Sequence, residues 1–368
     1  MTAHAWLALA IAAAALAAVV VVADRLRRRR DEAQAFLKGV RSMISDDPDA
    51  AIEALSDAAR LGSPEAIDTY LALGALFRRT GDLARAVRLH RNMLFGPGLP
   101  EARRAEVERE LAEDYRRSGM LADAEEILAR HSARGDGAAA AALRDVLSEQ
   151  GRLAEAAEVQ RRIAPPGADP LLAHLLAAHA RQEVAARPAG AIAAAREAIE
   201  ADPSSADARL ALAEAEAAAG RVAEALEQVG RALDADPRAA VLAWPPLGRL
   251  DPGAVRAFVE PRLARAPDDP GLHMLLARSL YRAGRVPEAI PVARRALDLD
   301  SSGEVTLAMR ELFRAAADPS PEYLAARHEI LVLALRRRAT PLRCARCGGE
   351  AAARAWRCPR CKAFDAFP

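Results

Sequence analysis

The sequence predicts an all-α protein: a membrane-crossing helix, then a stack of helix hairpins, then a small cysteine module. Three observations carry this. Apolar residues make up 52% of the 368 residues and aromatic residues only 4%, so the core must be built from alanine and leucine rather than from the β-branched and aromatic side chains of sheets. Along the middle of the chain a glycine recurs with an alanine five residues after it. All four cysteines fall between 344 and 361.

The first element is read from Ala5 to Ala23, "AWLALAIAAAALAAVVVVA", nineteen residues without a charge. As a helix rising about 1.5 Å per residue it just crosses a hydrocarbon layer about 30 Å thick. Leu7, Leu9, Ile11, Leu16 and the valines at 19 to 22 supply most of the partition energy. The positive charges, Arg25 and Arg27 to Arg30, follow the apolar run instead of preceding it, which is the order of an uncleaved anchor and not of a signal peptide. Arginine-rich flanks stay on the cytoplasmic side, so residues 1–30 are assigned to a single-pass anchor with the N-terminus outside and the rest of the chain inside. Ala10, Ala14 and Ala18 form a stripe on which a second membrane helix could pack, a spacing also expected by chance in so alanine-rich a segment; a homo-oligomer is left open.

The repeated element follows. Gly81, Gly119, Gly151, Gly220 and Gly284 are each followed five residues later by Ala86, Ala124, Ala156, Ala225 and Ala289. Glycine ends a first helix because it takes a positive φ without a Cβ clash, and a small alanine on the second helix lets the two helices approach closely. "LLAHLLAAHARQEVAARPAGAIAAAREAIEADP" fits as a further copy with Ala191 and Ala198 in the alanine positions, and "DDPDAAIEALSDAARLG", at 46–62, as an opening helix pair. Asp202-Pro203 and Asp236-Pro237 mark repeat ends, since a residue before proline is pushed out of the α region. Between Val241 and Pro270 the pattern fails, and Pro245, Pro246, Pro252 and Pro261 are expected to cut this stretch into short helices. These residues resemble the tetratricopeptide repeat, with its period of about 34 residues, its Leu-Gly in the first helix and its alanines in the second. The resemblance implies a right-handed superhelical solenoid over residues 31–338 that binds proteins or peptides.

Chemistry is sparse in that region. A phosphate-cradling loop is excluded because Lys38 and Lys362 are the only lysines and neither follows such a glycine run, and no nucleophile-elbow or zinc-protease string occurs. His174 and His179 lie about 140° apart around a helix, too far for paired ligands, and are assigned to packing or the surface. With 52 basic against 51 acidic residues the chain has no field to gather nucleic acid. At matching places in their repeats, Arg78, Arg79, Arg116, Arg117 and Arg282 either solvate helix C-termini or line a basic groove for an acidic or carboxylate-bearing partner, with Met274 and Tyr281 in the same surface.

The tail, residues 339–368, carries Cys344, Cys347, Cys358 and Cys361 as two Cys-x-x-Cys pairs. Two residues inside each pair put both sulfurs on one side of a tight turn, and two such knuckles complete a tetrahedron about one ion. Gly348 supplies a positive φ after the first knuckle and Pro359 stiffens the second. In a reducing cytoplasm this pattern favours a metal over disulfides. Four protein ligands leave no open position, so the ion is structural; zinc and iron both suit four thiolates. Trp356 and Phe364 are expected to pack over the site or against the repeats.

An anchor, a repeat array and a terminal pair of knuckles in the form "CARCG" and "WRCPRCKAF" together resemble the lipopolysaccharide assembly protein B (LapB, YciM) family. The resemblance implies a rubredoxin-like tail whose four cysteines bind one iron or zinc ion. It also implies a non-enzymatic inner-membrane adaptor that helps the membrane protease FtsH degrade the deacetylase LpxC and so regulates lipopolysaccharide synthesis. A general scaffold for envelope-synthesis enzymes and a rubredoxin-like electron carrier are the rival readings.

Overall fold

The computed structural model describes residues 16–27, 30, 67–95, 99–164, 166–315, 332, 334–335, 341–351 and 353–367. The opening pair expected at 46–62, most of the end of the expected solenoid, at 316–338, and the first part of the anchor lie outside the described residues. Residues 16–27 are helical with Leu16 and the valines at 19 to 22 exposed; among the described residues no helix is long and apolar enough to cross a membrane.

The chain divides into two compact units, 1–146 and 147–368. In the first, α1 (Ile67–Arg79) pairs with α2 (Leu83–Phe95) and α3 (Glu101–Arg117) with α4 (Leu121–Ala133). Helix α5 (Gly137–Glu149) carries the chain into the second unit, where α6 (Leu153–Ile163), α7 (Pro170–Glu183), α8 (Pro188–Ala201), α9 (Ala206–Ala218) and α10 (Val222–Ala235) continue the alternation. A short 3-10 helix (Pro237–Leu242), α11 (Trp244–Leu247) and α12 (Pro252–Arg265) precede the last clear hairpin, α13 (Pro270–Arg282) with α14 (Val286–Leu299), and then α15 (Glu304–Ala315). The tail holds two short antiparallel strands, β1 (Leu342–Arg343) and β2 (Glu350–Ala351), pairing Leu342 with Ala351.

The five turn glycines sit at φ between 74° and 85°, so each hairpin reverses through a left-handed residue that a Cβ would strain. The alanines that follow, Ala86, Ala124, Ala156, Ala225 and Ala289, are wholly buried, as are Ala191 and Ala198. Their lack of a side chain beyond Cβ is what lets the second helix of each hairpin lie close on the first. Gly74 does the same for a larger partner: a Cβ there would fall 2.4 Å from the ring of the buried His90. Helix starts are set by aspartate followed by proline. Asp169, Asp251 and Asp269 each accept a hydrogen bond from the third backbone N–H beyond them, at 3.0, 3.1 and 3.0 Å, and Pro170, Pro252 and Pro270 occupy the first turn where no N–H is needed.

Two expectations are corrected. Pro261 does not cut its segment: α12 runs fourteen residues with Pro261 inside it, because Val255 and Val259 are held in the core and packing outweighs one missing backbone bond. Met274 and Tyr281 are not surface residues of a groove. Both are buried in the large apolar cluster of the second unit, since they project from α13 toward the core that also takes Leu275, Leu280 and Ala289. The alanine positions are the sensitive points: Ala225→Leu should lower stability by about 1–3 kcal/mol through overpacking against α9, read as a fall in the thermal midpoint of the helical circular dichroism signal.

Candidate metal centre

Each cysteine pair sits in a knuckle, and the two knuckles repeat one hydrogen-bond scheme. Cys344 N–H donates to the Gly349 carbonyl and Gly348 N–H to the Cys344 carbonyl, both at 2.9 Å; fourteen residues on, Cys358 N–H donates to Ala363 at 2.7 Å and Lys362 N–H to Cys358 at 3.0 Å. Gly348 has φ of 65°, as its place predicts, and Lys362 holds the equivalent position at 58° without being glycine. Gly349 is needed for a different reason, because a Cβ there would lie 3.2 Å from the Cys347 sulfur.

The two turns bring the four sulfurs within 4.8 Å of one another, with Cys344 to Cys361 at 3.6 Å and Cys347 to Cys358 at 3.9 Å. A tetrahedron with metal–sulfur bonds of about 2.3 Å has edges of about 3.8 Å, so these separations fit one four-coordinate ion. They are far too long for a disulfide of about 2.05 Å, and all four thiols are free. Burial opposes the Cys344 thiolate, yet the N–H groups of Cys347 and Arg346 bring its pKa down to about 7. Cys361 is pushed up to about 12 by burial and by its neighbouring thiols. Four thiolates in one small space repel, and a cation at the centre is what lets all four exist together.

The ribbon formed by the knuckles docks on the second unit at three places. The His174 ring, on α7, stacks on Phe364 with centroids 5.5 Å apart and 12° between planes, and lies 5.9 Å from Trp356. Its Nδ1 is 2.5 Å from Asp207 and its Nε2 2.7 Å from Asp365 in the tail, while Arg181 holds the other Asp207 oxygen at 2.5 Å. Arg354 reaches both carboxylate oxygens of Glu304 at 3.0 and 3.2 Å, and Arg357 donates to the Ser148 hydroxyl at 2.7 Å. Trp356 joins the apolar cluster of the repeats. Assigning His174 to idle packing missed this contact, whose partner is 191 positions away along the chain; the tail aromatics were the available signal, since two such rings on so small a module require a surface to cover them.

Comparison with known proteins meets this geometry at the tail. Residues 343–368 match a LapB zinc-ribbon family model described as a rubredoxin metal binding domain. The tail is similar to the LapB ribbon. A tetratricopeptide repeat model matches residues 181–240 and 252–304. Lipopolysaccharide assembly protein B of Escherichia coli K12 is 27% identical over 92 residues, 25% of this chain and 23% of that protein, and the O157:H7 protein gives the same values. The chain therefore spans under a quarter of the length of these curated relatives in the matched region. Among solved structures, the C-terminal part of a TPR repeat-containing protein from Cytophaga hutchinsonii is 12% identical with a TM-score of 0.46, covering 79% of this chain and 98% of that one. The TPR2AB domain of yeast Sti1, in its pHSP90 complex, is 15% identical with a TM-score of 0.29, covering 83% and 98%.

Most of the arginines singled out as a groove are engaged within their own units. Arg78 is engaged inside the first unit, with Glu110 at 2.5 Å and the fully buried Asp114 at 2.7 Å, and Asp114 also takes His90 at 2.6 Å. Arg116 and Arg117 both bind Glu113 on their own helix, at 3.1 and 2.9 Å, and Arg79 is exposed at the end of α1. Arg282 donates to the Gly248 carbonyl. Helix-end solvation and intramolecular pairing account for the first four.

Two outcomes follow for the LapB-type ribbon. Cys358→Ser should lower bound metal from one ion per chain toward none by elemental mass spectrometry and make the tail the first site of proteolytic cleavage, because so small a module has almost no core without its ion. His174 supplies a pH signature. Burial lowers its pKa, but the Asp207 and Asp365 carboxylates outweigh that and raise it from 6.5 to about 9. A raised folded value means that the docking energy, of order 3 kcal/mol, is fully present below pH 6.5 and is lost as pH rises through 9. The thermal midpoint should therefore fall between pH 7 and 10 more steeply for the native chain than for His174→Ala.

Proposed function

We propose that this protein is a non-catalytic adaptor tethered to the bacterial inner membrane, which holds a client protein on its repeats and uses the docked ribbon to fix the C-terminal end of the array. The observation that carries the reading is the ribbon's three-point seat on the repeats: a four-sulfur module is spent on shaping a helical binding unit, through His174, Glu304 and Ser148, rather than on an exposed reactive centre. The four cysteine sulfurs would fill every position about one ion and leave none for an activated water. The arrangement therefore supports recognition and not turnover.

The similarity of the tail to the ribbon of lipopolysaccharide assembly protein B supports a role in setting lipopolysaccharide synthesis. On this reading the client is a lipid A biosynthesis enzyme of the LpxC type and the recipient a membrane protease of the FtsH type. Residues 1–30 keep adaptor, client and protease on one surface. Confinement then converts a weak encounter into a local one without any new contact.

Deleting residues 1–30 should leave the helical content and metal content of the chain intact while prolonging the half-life of the deacetylase, measured by pulse-chase in cells. An unchanged half-life on complete removal of the protein would instead indicate a scaffold that gathers envelope enzymes without delivering them.

A further inference from the structure

The ribbon carries more positive charge than its seat on the repeats uses. Arg354 faces Glu304, Arg357 lies over Phe364 at 5.3 Å and donates to the Ser148 hydroxyl, and Arg343 pairs with Glu350 at 3.1 Å. Its other cations, Arg346, Arg360 and Lys362, stand in the knuckles and are exposed. "CARC" and "CPRC" each put an arginine just before the second sulfur of the pair, and because the two knuckles repeat one hydrogen-bond scheme, Arg346 and Arg360 hold equivalent places about the ion site. Neither knuckle, 344–349 or 358–363, contains an acid, and among the described residues no carboxylate pairs with Arg360 or Lys362.

Lys362 is held there against the preference of the backbone. Its φ of 58° is one that glycine takes freely and a residue with a Cβ does not, and the equivalent place in the first knuckle is Gly348 at 65°. It is also one of two lysines among 52 basic residues. Its Nζ donates to the Pro359 carbonyl at 2.7 Å, which keeps the ammonium beside the peptide group of Arg360. Arg360 in turn stretches over the first knuckle, where its Cδ would lie 3.0 Å from a Cβ on Gly349. The charges of both knuckles are thus gathered at one end of the ribbon.

Four thiolates about a divalent ion leave an excess of negative charge, and nearby cations offset it. That local role does not account for the arrangement. The Cys347 sulfur takes the Gly349 N–H at 3.4 Å, whereas among the described residues neither Arg360 nor Lys362 bonds to a sulfur, and both are turned to solvent. What meets this end must be negative, and the residues around the charges select its kind. Trp356, Phe364 and Phe367 are packed against the repeats or buried inside the ribbon, so no ring is offered on which a nucleic-acid base stacks. The exposed neighbours are Ala345, Gly348 and Pro359, none of them the large aromatic or apolar anchor on which a folded protein partner closes. Point charges without an anchor suit a surface whose negative charge is spread, as it is over phospholipid headgroups.

We propose that the knuckle end of the ribbon, through Arg360 and Lys362 with Arg346 on the other knuckle, rests on the anionic phospholipid headgroups of a membrane surface. This deepens the adaptor reading and rests on it for there being a membrane to meet. The metal-binding module then gives the chain a membrane contact of its own, besides residues 1–30.

The test uses the metal-loaded full chain in nanodiscs of phosphatidylcholine, mixed with separate vesicles of phosphatidylcholine alone or of phosphatidylcholine and phosphatidylglycerol in equal parts. Partition is read by flotation, and exposure of Lys362 by its rate of acylation in peptide mass spectrometry. Vesicles with phosphatidylglycerol should draw the chain and slow acylation of Lys362, vesicles without it should do neither, and added salt should release the chain. Arg360→Gln and Lys362→Gly should each weaken partition by about fivefold and the double variant by about thirtyfold, while Lys362→Arg keeps it. Glycine fits the backbone at 362, so Lys362→Gly should keep its bound metal and its thermal midpoint, and any loss of partition there is a loss of contact. Equal or salt-insensitive partition into both vesicles, native partition by the double variant, or loss of metal from these variants in the absence of vesicles would overturn the proposal, the last assigning the cations to the ion. Protection of Lys362 by inorganic phosphate or by a single-stranded oligonucleotide as strong as that by the vesicles would overturn it as well. If the vesicles hold the chain through this end while deacetylase half-life ignores the protein, the adaptor reading fails and the lipid contact stands; if half-life depends on the protein and the double variant partitions as the native chain does, the reverse holds.

Discussion

The separation between the two helices of a hairpin governs everything else in this molecule. Ala86, Ala124, Ala156, Ala225 and Ala289 are each wholly buried against a facing helix, and the glycine five residues before each turns the chain through a positive φ. With that distance fixed, a first helix presents one face to its own partner and another to the next repeat, so side chains from non-adjacent helices come to lie in one surface. His174 from α7, Ser148 from the end of α5 and Glu304 from the start of α15 reach the ribbon only because the intervening helices are held in step. Widening one hairpin would shift those three anchors against one another.

The ribbon imposes a second constraint of another kind. Its sulfurs lie at 3.6 and 3.9 Å across two small knuckles, a spacing that one ion would fill, and the module takes the rest of its order from the repeats outside. The outer contacts are a histidine between two carboxylates, a buried arginine on Glu304 and two aromatic rings. Charged contacts dominate that seat where an apolar patch would have sufficed. A charged seat fixes orientation, because a carboxylate displaced by an ångström loses its partner while two apolar surfaces can slide.

The hairpins of the array were legible because the signals for them are local. Gly-to-Ala spacing, the Asp-Pro repeat ends at Asp202 and Asp236 and the two Cys-x-x-Cys turns each act within a few residues, and the structure carries them as read, including positive φ at Gly348. Arg78 and Pro261 show where locality fails. Arg78 looks like a helix-end cation, yet Asp114, a whole repeat later, folds back to claim it. Pro261 looks like a helix breaker, yet Val255 and Val259 bury enough surface to keep α12 whole.

By itself, then, the sequence determined the helical repeat and the four-sulfur cage, since both follow from backbone freedom and side-chain size at fixed short spacings. Only the tertiary structure decided that His174 bridges Asp207 and Asp365, that Met274 and Tyr281 belong to the core, and that Arg278 stands over Trp244. The His174 contacts join groups 33 and 191 positions apart, and the energy of a buried charge is set by the neighbour it finds there rather than by the residues beside it in sequence.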